Sequence, residues 1–288
     1  LGEGWTAGDA QIPENQLAKK VAIPQMPGIA AFSDDLRDAM RGSCFDEHDQ
    51  AFLAGEAGHE MSMRAGLVGC IEHEDVDWAQ VNYSQKPWCK EPTQMIAYAS
   101  CHDNHMLTDR LVSTIPGISR ERKIRLSKLA QTAVLTSQGI PFLWCGEEIL
   151  RDKKGVENSF CSPDEVNAID WSLKKENADL FDYYCGLIAM RKAHKAFHMG
   201  SAELVRQNMH FLDTPESCVA FHLNGNAVND SWKEIIVILN ANSTAVTLPV
   251  EGEWETAVKD GKINLNESME FVENKVIVPA QSATILYR

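Results

Sequence analysis

The sequence lacks a long hydrophobic run, a closely spaced cysteine pair and a basic stripe, and each absence removes a class of function. No stretch of the 288 residues approaches the ~18 consecutive apolar residues of a membrane span, so no membrane span is expected. The 27 Lys and Arg against 41 Asp and Glu give a net charge of −14. Such a surface repels a phosphate backbone, which argues against nucleic acid as a partner. A neutral polyol is compatible with it, because sugars are held by hydrogen bonds and aromatic faces.

The eight cysteines, at 44, 70, 89, 101, 145, 161, 185 and 218, include no C-x-x-C pair. Several fall within predicted strands or helices, where a free thiol behaves as a small apolar group. That usage points to a reducing, cytoplasmic compartment. No signal peptide is visible, but the chain does not open with Met and reads as starting mid-domain, so a periplasmic or secreted location stays open. Two acidic-histidine runs, Asp46-Glu47-His48-Asp49 and Glu72-His73-Glu74-Asp75, have no H-E-x-x-H or Cys/His spacing and read as solvated loops. No metal ligand is assigned and no cofactor is required.

What is present is an alternation of short apolar runs with helical patterns, the signature of parallel βα units. Strands are expected at 28–33, 95–101 and 140–145. Ser33 or Asp34 can cap a helix over Asp35–Arg41. A helix from about Ser119 to Ser137 carries Leu126, Leu129, Ala130, Ala133 and Val134 on one face, and another from Asn177 to His194 is expected to turn Phe181, Tyr184, Cys185 and Ile188 inward. The segment 42–92, with one helical patch near Glu60–Val68, reads as a surface excursion. Beyond residue 198 the period changes to alternating β-branched and aromatic runs between Asn, Gly and Asp turns. The expected domains are therefore 1–198, α/β, and 199–288, an antiparallel β-sandwich.

In a (β/α)₈ barrel the reacting side chains stand at the C-terminal ends of the strands, so acids at strand ends carry the most information. Three qualify: Glu3 in Gly2-Glu3-Gly4-Trp5, Asp103 in Ser100-Cys101-His102-Asp103-Asn104, and Glu147 in Gly146-Glu147-Glu148. A glycosidase of the retaining kind needs two carboxyl groups about 5–5.5 Å apart, one protonated and one ionised. Shielding beside other carboxylates would let Glu3 be the protonated member. Each residue also has a plain reading. An acid between glycines is often only a turn residue, Asp103 could cap a helix over Asn104–Leu111, and Trp5 serves a core as readily as a sugar face. Asp152 and Asn158, in the loop after the third strand run, could line subsites or close turns. Glu147 and Glu148 read first as acids complementing a helix dipole.

In this order, the three segments resemble type I pullulanases of the α-amylase superfamily. The resemblance continues through Phe32-Ser33-Asp34-Asp35-Leu36-Arg37-Asp38-Ala39, the block Gln138–Glu148, Lys153-Lys154-Gly155-Val156-Glu157-Asn158-Ser159, Asn167-Ala168-Ile169-Asp170-Trp171 and Leu187–His194, so it covers nearly all of 1–197. It implies the second half of a (β/α)₈ barrel, strands 5–8, followed by the sandwich. It further implies that Glu3 is the general acid/base, that Asp103 binds and distorts the sugar ring, and that His102 helps to bind it. Trp5 beside Glu3 becomes a substrate contact. Phe160 stands where a tyrosine is expected.

The family's nucleophilic Asp follows a Phe-Arg-Phe-Asp-like motif, and no such motif exists in this chain. The implied partners are an α-glucan such as pullulan or a branched dextrin and the upstream half of the same enzyme, without which these residues would be inactive. The superfamily allows a structural Ca²⁺, which no residue here locates. Isoamylase-like, glycogen-debranching and α-1,4-acting enzymes share the His-Asp-Asn strand, and a non-catalytic carbohydrate-binding piece is the reading from another class.

Overall fold

The structure, a computed structural model, describes residues 2–6, 8 and 10–288. Gly2 makes a parallel bridge to Ala31. β1 (Ala31–Phe32) pairs in parallel with β2 (Met95–Ala97) through Ala31 and Met95, and β2 pairs with β3 (Ile140–Pro141) through Ile96 and Ile140. Spatial order follows chain order, as successive βα units wind. Among the described residues the result is an arc of parallel strands with open edges, and no closed barrel is formed. The strands are shorter than the apolar runs predicted: residues 28–30 precede the ladder of β1, and the last residues of the 95–101 and 140–145 runs leave it.

α1 (Asp34–Arg41) begins where Ser33 Oγ accepts the Leu36 amide at 3.3 Å, a cap worth about 1 kcal/mol. α2 (Ala51–Ala54) and α3 (Glu60–Leu67) follow. They correct the expected surface excursion: Phe52, Leu53, Met63, Leu67 and Val68 are fully buried, packed in the same core as Leu36 and Met40. α4 (Leu107–Thr114) and α5 (Arg120–Thr136) lie between β2 and β3, and α5 buries the predicted Leu126–Val134 face. After β3 come the short α6 (Asp164–Asn167) and α7 (Leu173–Glu176), then α8 (Ala178–Ala193). The buried face of α8 is Leu180, Tyr183, Tyr184, Leu187 and Met190, an i, i+3, i+4, i+7 set. Phe181 and Ile188 flank it, half-buried, and Cys185 is exposed, which corrects the inward face read from sequence.

A helix absent from the sequence reading, α9 (Ala202–Asn208), and a strand also missed, β4 (Met209–Leu212), open the C-terminal part. β5 (Cys218–Asn224), β6 (Glu234–Asn240), β7 (Val246–Lys259), β8 (Lys262–Ile263), β9 (Phe271–Val278) and β10 (Ser282–Tyr287) complete an antiparallel sheet of order β4-β5-β6-β10-β7-β8, with β9 on β7. β7 is one long strand whose register against β9 shifts between Pro249 and Glu253. Such an irregularity bends a strand. Leu248, Val250, Trp254, Val276 and Val278 of the β7–β9 hairpin share a core with Cys218, Ala220, Ile236 and Ile238, the filling of a sandwich. The opposite face, with Phe221, Val237 and Ile285, joins Leu126 and Leu129 of α5 in a single core. Hydrophobic packing therefore runs unbroken across residue 198.

Candidate active site

Glu3 stands one residue beyond the Gly2 bridge, and Gly4 follows at φ 79°. A Cβ on Gly4 would lie 3.1 Å from Ala31 Cβ and 3.2 Å from Lys20 Cγ, so that left-handed turn against β1 favours glycine. On the neighbouring side, β2 ends at Ala97 and the chain turns through Cys101–Met106 before α4 starts at Leu107. The cap reading of Asp103 fails here: Met106 is the cap position, and Ser100 Oγ accepts the Leu107 amide at 2.8 Å. Asp103 is left to face its neighbours. His102 Nε2 lies 3.2 Å from Glu3 Oε1 and 3.6 Å from Asp103 Oδ2, so one imidazole nitrogen faces both carboxylates. Each of the three side chains keeps between 38% and 54% of its surface in solvent.

Residues that sequence reasoning did not single out hold this turn. Arg37, 4% exposed on α1, donates to Asp38 Oδ1 at 2.5 Å, Tyr98 Oη at 3.0 Å and Asn104 Oδ1 at 3.3 Å. Burial alone would lower its pKa, but the Asp38 hydrogen bond and the neighbouring acidic groups raise it, so the guanidinium stays charged. Arg41, one helical turn on, donates to His105 O at 2.5 Å. The signal was present as Arg37 and Arg41 at i, i+4 with Asp38 between them on a short helix with few apolar residues.

The loop after β3 leans on the same turn. Asn104 donates to Glu157 Oε1 at 3.3 Å, His105 Nε2 lies 3.2 Å from Gly155 O, and Asp109 accepts the amides of Lys153 and Gly155 at 2.7 and 2.8 Å. Asp152 and Asn158 are exposed on this rim, and Asp152 closes its own turn by accepting the Lys154 amide at 3.1 Å. Among the described residues, neither hydrogen-bonds Glu3, His102 or Asp103. Trp5 is 36% exposed and Phe160 81%.

Glu147 and Glu148 both stand in the first turn of a short 3-10 helix (Glu147–Ile149), as their dipole reading has it; Glu147 is 3% exposed, and Glu148 accepts the Gly146 amide at 2.9 Å. Among the described residues, two groups offer ligand atoms within 4.8 Å of one another, Glu3–His102–Asp103 and Asp49–Glu56–His59. In the second, Asp49 and Glu56 already accept the amides of Ser43 and Ala51. All eight cysteines are free, and Cys70, Cys89, Cys101 and Cys218 are buried. No helix among the described residues is long and apolar enough to cross a membrane.

With this geometry in hand, the comparisons with known proteins are consistent. Residues 205–262 match the family described as the pullulanase all-beta domain. The pullulanase of Bacillus subtilis (strain 168) is 31% identical over 287 residues, which is 100% of this chain and 39% of that protein. Along its whole length the chain is similar to part of a pullulanase. The solved pullulanase from Bacillus acidopullulyticus superposes with a TM-score of 0.91 at 35% identity, over 100% of this chain and 34% of that one. A pullulanase from Anoxybacillus sp. LM18-11, solved with maltotriose, gives 0.88 at 32% identity over 100% and 38%. The chain thus spans well under half the length of these pullulanases, which are glycoside hydrolases.

Proposed function

We propose that this chain supplies the acid/base side of a debranching enzyme that hydrolyses α-1,6-glucosidic bonds in pullulan and branched dextrins with retention. The observation that carries the reading is the convergence of Glu3, His102 and Asp103 from two separate strand ends. Glu3 protonates the leaving oxygen and later activates water. Asp103 and His102 grip the sugar hydroxyls as the ring flattens, and Trp5 offers an apolar face to the ring. Asp152 and Asn158 line the rim for outer sugar units. The nucleophilic Asp comes from an upstream half of the same enzyme, which also pairs with the open edges of the parallel strands. This chemistry needs two carboxyls and a water and no cofactor.

An α-glucan substrate is supported by the maltotriose in the Anoxybacillus relative, and the upstream half by the 39% coverage of the Bacillus subtilis relative. Digestion of pullulan by the natural full-length protein tests the linkage. Maltotriose is the product expected of α-1,6 cleavage, and panose or isopanose as the main product would show α-1,4 cleavage instead.

A further inference from the structure

The loop that carries Asp152 and Asn158 is held from outside itself. Lys154 and Gly155 stand one after the other at φ 55° and 75°, in a turn of the kind that gathers successive backbone N–H groups around an anion. The Lys153 amide donates to Asp109 Oδ2 at 2.7 Å and the Gly155 amide to Asp109 Oδ1 at 2.8 Å. The amide between them, that of Lys154, goes to Asp152 Oδ1 at 3.1 Å. Asp109 is 5% exposed in the first turn of α4, so one buried carboxyl group on a helix fixes the backbone of an exposed loop.

Each oxygen of Asp109 takes one amide, which is the pattern of a carboxylate; a protonated acid would point an O–H at one of the two donors. Hydrogen bonds to a charged acceptor are about twice as strong as neutral ones. The loop is tied to the same region at two more points: His105 Nε2 lies 3.2 Å from Gly155 O, and Asn104 donates to Glu157 Oε1 at 3.3 Å. Past Asn158 the chain is anchored again, where Lys153 Nζ donates to Ser159 Oγ at 2.5 Å and Asn167 to Ser159 O at 2.7 Å. Asp152 and Asn158 are therefore exposed side chains on a backbone pinned at both ends. α4 follows directly on the turn of His102 and Asp103, so the helix that grips the loop starts at the catalytic acids.

We infer that Asp109 is a positioning residue that sets the grip on outer sugar units: it touches no substrate, and acts by holding Asp152 and Asn158 in place on the rim before a glucan arrives. Ordering a loop costs conformational entropy, and a loop ordered in advance spares binding that cost. The turn of His102 and Asp103 has its own supports in Arg37 and Arg41, so the chemistry does not depend on Asp109. Short substrates are then indifferent to it and long ones are not. The effect on glucan length rests on the glycosidase reading, whereas the hold on the loop does not.

Asp109→Asn in the natural full-length protein keeps the shape but leaves one carbonyl oxygen to serve two amides. On branched maltodextrins of increasing length, KM is expected to rise about tenfold for the longest and not at all for the shortest, with kcat within about twofold throughout. A KM rise equal at every length, a fall in kcat that matches it, or no change in KM overturns the inference. Hydrogen exchange gives a second reading that does not depend on whether the variant folds. In the wild type the Lys153 and Gly155 amides are expected to be protected although Gly155 is exposed, and in Asp109→Asn to exchange about tenfold faster. Rapid exchange of both in the wild type overturns the hold on the loop. If the wild type hydrolyses no α-glucan, the glycosidase reading fails and takes the claim on sugar with it, while the exchange still decides the hold.

Discussion

His102 Nε2 lies 3.2 Å from Glu3 Oε1, although the two residues come from strand ends separated by all of α1 to α3. The same nitrogen faces Asp103 at 3.6 Å. A neutral imidazole can hydrogen-bond one carboxylate through this nitrogen, and an imidazolium is attracted to both, so under the function proposed above this contact would couple the grip on the sugar to the acid that protonates the leaving group.

Asp103→Asn in the full-length enzyme keeps size and most hydrogen bonding and removes charge. If the contact strengthens as the ring flattens, kcat should fall by roughly 10²-fold or more with KM changed little. Steady-state kinetics on pullulan check this. A loss confined to KM would mean that Asp103 binds ground state and transition state alike.

A second prediction concerns stability across the seam between the helical part and the sandwich. The Asp230 side chain is fully buried and accepts from His194 Nδ1 at 2.8 Å and from the amides of Ala196 and Trp232 at 3.0 Å each. The His194 ring stacks on Trp232 at 3.6 Å, and Trp232 on Tyr287 at 4.2 Å. Burial would raise the Asp230 carboxyl, but these donors outweigh it and hold the pKa below its ordinary value. A depressed carboxylate contributes stability that is present above its unfolded pKa, near 4, and lost as pH falls through the lower folded value. Asp230→Ala should therefore cost about 2–4 kcal/mol at neutral pH, and the gap from wild type should close as pH falls below roughly 4. Denaturant midpoints across that range measure it, and a gap independent of pH would show that packing alone is lost.

Residues 1–288 by themselves should release no maltotriose from pullulan. The arc of parallel strands has open edges, and Ile140 on β3 is 43% exposed, an arrangement that invites association. Light scattering is expected to show self-association that subsides when the upstream half is added, with activity returning alongside. Full activity from these residues as a monomer would contradict the placing of the nucleophile upstream.

The parallel βα wind was legible because apolar runs and helix caps alternate with a fixed rhythm, and the acids at strand ends stood out for the same reason. Ser33 as a cap and the Leu126–Val134 stripe of α5 needed only local rules. The burial of α2 and α3 was not legible: Gly, Pro and acids around them mimic a loop, and Phe52 and Met63 are buried by contacts with α1 and α5 that no local pattern encodes. The inward face of α8 was misjudged because aromatic and apolar residues surround that helix, so its periodicity is blurred. Arg37 was missed as a support because its role depends on which charges the fold encloses. The convergence of Glu3 with His102 is a tertiary fact, and only the family resemblance reached it from sequence.

The central claim is the role of Glu3, and chemical rescue tests it most directly. With an activated α-maltotriosyl fluoride, fluoride departs without acid help, so a Glu3→Ala variant of the full-length enzyme should still form the covalent glycosyl intermediate while turnover stalls for want of a general base, a deficit of ~10²–10⁴-fold. Added azide, which needs no base, should restore turnover and give the glycosyl azide of retained α configuration. A β-glycosyl azide would make Glu3 the nucleophile, and near-native turnover without azide on pullulan itself would contradict any acid/base role for it.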